Sequence, residues 1–327
     1  MMPEEVARSI YRVEIPLPRN PLKALNSYVI KGRERHLVVD CGMRRKECRD
    51  AMLLGLDALG VNLRDADFFI THFHADHLGL VSDLATSGAR IYLNEPDATR
   101  IVNPGLRDAF AVAGSLHGFP EKEIDKALEA HPGSKYGPEM PLPFVMPHDG
   151  EIIHAGPYHF RCVTTPGHSF GHQCLYESDR KILIAGDHIL DDITPNIQCW
   201  FDDWNPLAEY LESLNMTTKL DVDIVLPGHR RLFTHMRERI EELKAHHVAR
   251  AEEAAAMLKK GPMTAYQVAS GMTWDIVCDS FDQFPVSQKW FATGEAIAHL
   301  VYLEGIGRVR TERTREGTRV WRLTDAQ

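Results

Sequence analysis

Apolar and polar positions alternate in short runs through the first part of the chain. YRVEIPLP, NSYVIKG and HLVVDCG each predict a strand, and Pro, Asn and Gly punctuate them. RKECRDAMLLGLDALGV then spaces its apolar residues at helical intervals and meets Gly60 near its end. ADFFITHFHADH predicts a strand with its histidines just past the end. HLGLVSDLATSG predicts a short helix ending near Gly88, and ARIYLNE another strand.

From about Pro96 to Pro132 the pattern turns helical. EKEIDKALEA is the clearest piece, with Ile124 and Leu128 on one face. HPGSKYGPEMPLPF, dense in Pro and Gly, predicts a loop. The helical insert, about 96–140, is either a lid or a packed excursion. Strands resume in EIIHAG, YHFRCVTTPG, QCLYES and KILIAGD. NPLAEYLESLNMTT predicts a helix and DIVLPGH a buried strand. Two β-rich halves with helices between them imply a layered α+β sandwich. MRERIEELKAHHVARAEEAAAMLKK is a long charged helix. After Gly261 come two helical segments, TAYQVASGM and FATGEAIAHLVYLEG, and a hairpin around Glu316 and Gly317. Helices followed by a β wing resemble a winged-helix domain. The expected division is a main domain over 1–239, with a linker helix and a winged-helix-like domain over 240–327.

Composition narrows the field only slightly. The 327 residues are 44% hydrophobic and 25% charged, proportions of a folded globular chain, and the net charge of −9 disfavours nucleic-acid binding as the main role. The six cysteines are scattered and form no CxxC pair, so buried reduced thiols are expected rather than a zinc ribbon or a disulfide framework. The N-terminus lacks the apolar core of a secretory signal, and no run is long enough to span a membrane. The expected compartment is the cytoplasm.

The candidate chemistry sits at strand ends. THFHADHLG places His72, His74, Asp76 and His77 directly after an apolar strand. His72 and His74 are two apart, so in extended backbone both rings point the same way, while Asp76 and His77 follow as the chain turns. Alone, the cluster is either a polar turn or a metal site. Three other stretches repeat the design of strand, turn and ligand-type residue: TTPGHSFGH with His168, ILIAGD with Asp187 and DIVLPGH with His229.

HxHxDH, then TPGH, then GD, then PGH resembles the metallo-β-lactamase-fold superfamily of hydrolases, over roughly Tyr11 to His235. The C-terminal segment narrows the likeness to a lactamase-beta-2-like subgroup that carries a winged-helix-like domain. The resemblance implies a four-layer αββα sandwich with metal ions at one edge of its two sheets. It assigns His72, His74 and His168 to a first metal and Asp76, His77 and His229 to a second, with Asp187 bridging both. His172, in the same GHSFGH stretch as His168, is expected to support the site rather than to ligate.

Two divalent ions follow as cofactors, zinc by default, with Fe2+ or Mn2+ as alternatives because N and O donors do not settle the metal. Ions ~3.5–4 Å apart can bridge a hydroxide that attacks the substrate, with Asp187 anchoring both ions and Asp76 orienting the nucleophile. The expected substrate is a small molecule, an acyl thioester or a related ester or lactone. Ile193, Pro195, Trp200, Phe201 and Trp204 would supply an apolar wall for it, or would simply pack the insert. A metal-dependent ribonuclease or phosphodiesterase is the alternative within the same chemistry, and the arginines of the predicted wing are the feature that raises it. A ligand-sensing DNA-binding winged-helix protein is the alternative of a different class, which the acidic charge and full ligand set disfavour. No membrane partner is expected, and the C-terminal segment leaves a homodimer open.

Overall fold

A computed structural model of the chain describes residues 2–324. Its first sheet has seven strands, β1 (Glu4–Ala7), β2 (Ile10–Pro16), β3 (Ala24–Ile30), β4 (His36–Val39), β5 (Ala66–Phe69), β6 (Ile91–Tyr92) and β7 (Phe144–Val145), in that spatial order. The second has five, β8 (Ile152–Ala155), β9 (Tyr158–Thr164), β10 (Gln173–Glu177), β11 (Ile182–Gly186) and β12 (Ile224–Pro227), in the order β12-β11-β10-β9-β8. A hairpin, β13 (Val309–Arg313) and β14 (Arg319–Leu323), forms a two-stranded sheet of its own. The helices are α1 (Lys46–Ala58), α2 (Ala75–Leu78), α3 (Val81–Leu84), α4 (Glu95–Ile101), α5 (Leu106–Leu116), α6 (Glu121–Ala130), α7 (Pro132–Tyr136), α8 (Pro206–Thr217), α9 (Met236–Met257), α10 (Ala265–Gly271) and α11 (Val286–Gly305).

The chain divides into two compact units. One comprises the residues up to Asn103, Lys135–Pro195 and Ser213–Ile240; the other comprises Pro104–Ser134, Asn196–Glu212 and the residues from Glu241 on. The first unit is a layered α+β sandwich, as the resemblance implies. Strand periodicity builds its two cores. Val29, Val38 and Phe68 point from the first sheet toward Cys48, Met52 and Leu56 of α1. Their neighbours Tyr28, Leu37, Val39 and Phe69 point the other way, onto Phe160, Leu175 and Ile184 of the second sheet.

Strand direction gathers the strand ends at a common rim. β4 and β5 are parallel, so their C-terminal ends lie together. β9 and β11 are both antiparallel to β10, so they run the same way, and β12 is parallel to β11. Hydrogen bonds then join the two sheets at their ends: Asn26 N–H donates to the Gly228 carbonyl at 2.7 Å, Tyr28 Oη donates to the Pro227 carbonyl at 2.8 Å, and Gln173 N–H donates to the Thr71 carbonyl at 2.9 Å.

In the second unit, the insert helices α5 and α6 group with the C-terminal elements, although sequence separates them widely. Trp290 of α11 is the reason. Its ring lies edge-on to Phe119, with centroids 5.1 Å apart, and a Cβ on Gly114 of α5 would stand only 3.0 Å from it. Lys289 also pairs with Glu123 of α6 at 3.2 Å. The hairpin β13–β14 carries a fully buried Trp321, whose backbone bonds to Met263.

Three local differences from the sequence reading have simple causes. The charged N-terminal segment forms β1, because Glu4 and Glu5 face outward from an edge strand. HPGSKYGPEMPLPF is not wholly a loop, since it holds α7 and the two-residue edge strand β7. The helix expected up to Gly88 is two short helices, α2 and α3, the first starting directly after His74. Five cysteines are buried and unpaired, and Cys278 is exposed. Among the described residues no helix is long and apolar enough to cross a membrane.

Candidate metal centre

All seven predicted donor residues converge at the shared rim. His72 Nε2 and His74 Nδ1 are 2.9 Å apart. His77 Nε2 faces Asp187 Oδ1 at 3.5 Å, while Asp187 Oδ2 faces His168 Nε2 at 3.6 Å and His229 Nε2 at 3.5 Å. Asp76 Oδ2 faces His229 Nε2 at 3.5 Å. These residues form three overlapping groups able to hold a metal ion: His72, His74 and His168; His72, His77 and Asp187; Asp76, His77 and His229. Asp187 thus presents one oxygen to His77 and the other to His168 and His229.

The rings are aimed by hydrogen bonds on their far sides. His77 Nδ1–H donates to Asp40 Oδ2 at 2.7 Å, and His229 Nδ1–H donates to the Ala24 carbonyl at 2.7 Å. Thr71 Oγ1–H donates to Asp40 Oδ2 at 2.9 Å, so Thr71 Oγ1 can in turn accept from His72 Nδ1–H at 3.0 Å. Each bond leaves the Nε2 lone pair directed at the centre.

The donors fit a divalent cation. His77 Nε2, His229 Nε2 and Asp187 Oδ1 are buried with no hydrogen-bond partner. Leaving such atoms unpaired costs about 1–3 kcal/mol each, which a cation would relieve. Ligand atoms ~2.1 Å from a shared tetrahedral ion stand ~3.4 Å apart, close to the separations around Asp187. Burial disfavours charge on His77 and His229, yet neighbouring carboxylates more than offset it and raise both pKa values. For Asp187 and Asp76 burial works upward, but the surrounding histidines win and hold both carboxyls well below their usual range. An incoming cation therefore meets two carboxylates and must displace protons from the rings. His72, His77 and His229 are fully buried, whereas His74 and His168 are partly buried, so access lies on their side.

His172 is satisfied on both nitrogens. Its Nε2 accepts the Asp187 N–H at 3.2 Å and its Nδ1–H donates to Thr165 Oγ1 at 2.8 Å, so it braces the Asp187 turn. Two glycines make room beside it. Gly186 has φ +48, and a Cβ there would lie 2.7 Å from His172 Nε2. A Cβ on Gly228 would lie 2.6 Å from Asp187 Oδ1.

Sequence reasoning missed two carboxylates. Asp40 follows β4 in HLVVDCG, the same strand-end design as the donors, and that is the signal that could have found it. Asp97 carries no such signal, because it lies on α4. Fully buried, it accepts from Phe73 N–H at 3.1 Å, Ser169 Oγ at 2.7 Å and Gly171 N–H at 2.7 Å. It ties the His72–His74 segment to the His168 loop, and burial pushes its pKa up to about 6 against these donors.

The predicted wall residues are spread over both units. Ile193 and Pro195 close the second segment of the first unit, and the Ile193 carbonyl accepts from Arg239 at 3.0 Å. Trp200 stacks on Trp290 within the second unit, with centroids 3.9 Å apart and planes 12° from parallel. Phe201 packs on Phe110, with centroids 5.3 Å apart, and Trp204 Nε1–H donates to Glu209 at 2.7 Å. Of the hairpin arginines, Arg308 pairs with Glu252, Arg319 with Asp202, and Arg310 and Arg322 with Glu312.

Comparison with known proteins identifies the family. The family model of the metallo-beta-lactamase superfamily matches residues 22–229. A metallo-beta-lactamase family protein from Thermus thermophilus superposes with a TM-score of 0.82 at 30% identity, covering 98% of this chain and 100% of its own. A beta-lactamase domain protein from Burkholderia ambifaria gives 0.83 at 28% identity, over 98% and 94%. The probable metallo-hydrolase YqjP of Bacillus subtilis is 26% identical over 85% of this chain and 86% of its own length. An atrochrysone carboxyl ACP thioesterase of Aspergillus fumigatus is 25% identical over 68% of this chain and 55% of its own. With the family match spanning most of the chain and every strand-end donor gathered at one rim, we conclude that this protein is a hydrolase of the metallo-beta-lactamase superfamily.

Proposed function

We propose that the protein hydrolyses an acyl thioester, or a related ester or lactone, using two divalent ions, zinc by default. His72, His74 and His168 would hold the first ion, Asp76, His77 and His229 the second, and Asp187 both. When bound, such ions polarise the carbonyl under attack and make water acidic enough to serve as nucleophile near neutral pH. The observation that carries the two-ion reading is that the Asp187 carboxylate faces His168, assigned to the first ion, as well as His77 and His229, assigned to the second.

The chain's own residues supply orientation and proton handling. Asp40 and the Ala24 carbonyl fix the tautomers of His77 and His229, which keeps both Nε2 lone pairs on the centre. Asp76 presents a carboxylate at the same rim and would orient the attacking water. His172 and Asp97 act through position, the one holding the Asp187 backbone and the other joining the two histidine loops.

The thioester preference rests on relatives whose printed names are thioesterase. Metal-loaded protein assayed against acyl-CoA thioesters, lactones and single-stranded RNA tests it. Thioester turnover abolished by chelation is expected, and turnover confined to RNA would overturn the substrate.

A further inference from the structure

The chain is acidic overall, yet one cleft of the first unit is lined almost wholly by cations. Arg44, Arg45, Lys46, Arg49 and Lys135 surround a space of about 330 Å³, with Asp83 as the one carboxylate in the wall. Three of these cations have exposed partners. Arg44 meets Asp83 and Glu139, Arg45 meets Glu47, and Lys46 meets Asp50. Exposed pairs of this kind contribute little and are easily exchanged. Among the described residues, Arg49 and Lys135 make no ion pair.

The segment that leads into the cleft is hydrogen-bonded to the turn that carries the candidate ligands. Cys41 N–H donates to the His77 carbonyl at 2.7 Å, Leu80 N–H donates to the Gly42 carbonyl at 2.9 Å, and Arg44 N–H donates to the Tyr136 carbonyl at 3.0 Å. A Cβ on Gly79, at the end of that turn, would lie 2.7 Å from Arg44 N. Arg44 and Arg45 therefore follow directly on the segment that is hydrogen-bonded to the His74–His77 turn. Guanidinium forks and ammonium groups gathered around one cleft suit a phosphate ester, which offers several charged acceptors at once.

We propose that this cleft holds the phosphate end of the thiol carrier in a thioester substrate, while the acyl end lies at the metal centre. The proposal rests on the thioesterase reading and deepens it. Two carriers share the chemistry: coenzyme A, through its 3′-phosphoadenosine 5′-diphosphate nucleotide, and a carrier-bound 4′-phosphopantetheine, through its single phosphate ester.

The test uses full-length metal-loaded protein and an Arg49→Gln/Lys135→Gln double variant, both positions being exposed and outside the donor set. Calorimetry with adenosine 3′,5′-bisphosphate and with 4′-phosphopantetheine should show binding to the wild type that weakens in high salt, and about tenfold weaker binding to the variant. Binding of adenosine 3′,5′-bisphosphate identifies coenzyme A, and binding of 4′-phosphopantetheine alone identifies the phosphate ester that both carriers share. KM for an acyl-CoA should rise about tenfold in the variant with kcat unchanged, while KM for the same acyl group on N-acetylcysteamine, which has no phosphate, should stay constant. Binding of neither phosphate ligand, or equal binding by the variant, would overturn the cleft assignment even if thioesters are hydrolysed. Phosphate binding lost in the variant, with no thioester turned over, would keep the site and sink the thioesterase reading.

Discussion

Asp40 Oδ2 lies 2.7 Å from Nδ1 of His77, and both side chains are buried. The carboxylate can only accept, so it dictates which His77 nitrogen carries the proton. Asp40 sits at φ +56, a conformation asparagine also tolerates. Asp40→Asn should therefore fold, but its amide can turn an N–H toward His77 and place the ring proton on Nε2. Zinc affinity, measured by chelator competition, should fall ~10–100-fold. Unchanged affinity would show that His77 is not held in this way.

Gly186 and Gly60 separate crowding from backbone strain. Both have positive φ, but a Cβ at Gly60 meets nothing within 4 Å, whereas one at Gly186 meets His172 and Thr71 at 2.7 Å. Gly60→Ala should cost about 1 kcal/mol in urea unfolding, the cost of strain alone. Gly186→Ala should cost at least ~2–3 kcal/mol and reduce metal content as well, because the bond from Asp187 N–H to His172 must break. Equal costs at the two sites would contradict the packing described around Asp187.

Asp97 gives a third contrast. Asp97→Ala leaves Phe73 N–H, Ser169 Oγ and Gly171 N–H without their acceptor, whereas Ser169→Ala removes only one bond. Chemical denaturation should show a loss of ~2–4 kcal/mol for the first and ~1 kcal/mol for the second. If Asp97→Ala were no worse than Ser169→Ala, the two loops would not depend on this carboxylate.

The candidate donors could be picked out in the sequence because they lie at the ends of apolar strands, which are easily read from periodicity. His168 could be told from His172 only by resemblance, and the structure gives the physical difference: both ring nitrogens of His172 are already occupied. Asp97 was illegible because its role depends on donors at positions 73, 169 and 171, contacts that no local pattern encodes. The grouping of α5 and α6 with α11 was hidden for the same reason, since Trp290 and Gly114 are far apart in sequence. The hairpin was read correctly around Glu316 and Gly317. Two of its arginines, Arg308 and Arg319, pair with Glu252 and Asp202 from distant segments, which no local pattern shows.

Acid should weaken the second unit through its buried histidines. Burial lowers the pKa of His117 to about 3 and of His299 to about 4. The unfolded chain, with ordinary histidines near 6.5, then binds more protons than the folded one between these values. Their contribution is complete above about pH 6.5 and is lost as pH falls through the folded values, on the order of 2 kcal/mol each by pH 5. In metal-free protein, His117→Gln and His299→Gln should each flatten the fall in urea stability between about pH 7.5 and 5. An unaltered slope in both would mean that these histidines are not buried in the neutral form.

Metal content and thioester turnover, measured side by side on the wild type and on Asp187→Ala, test the central claim most directly. Because Asp187 faces both sides of the centre, the wild type should hold two ions per chain and the variant should lose metal and hydrolysis together. A variant that kept its full metal complement and its activity would contradict the account.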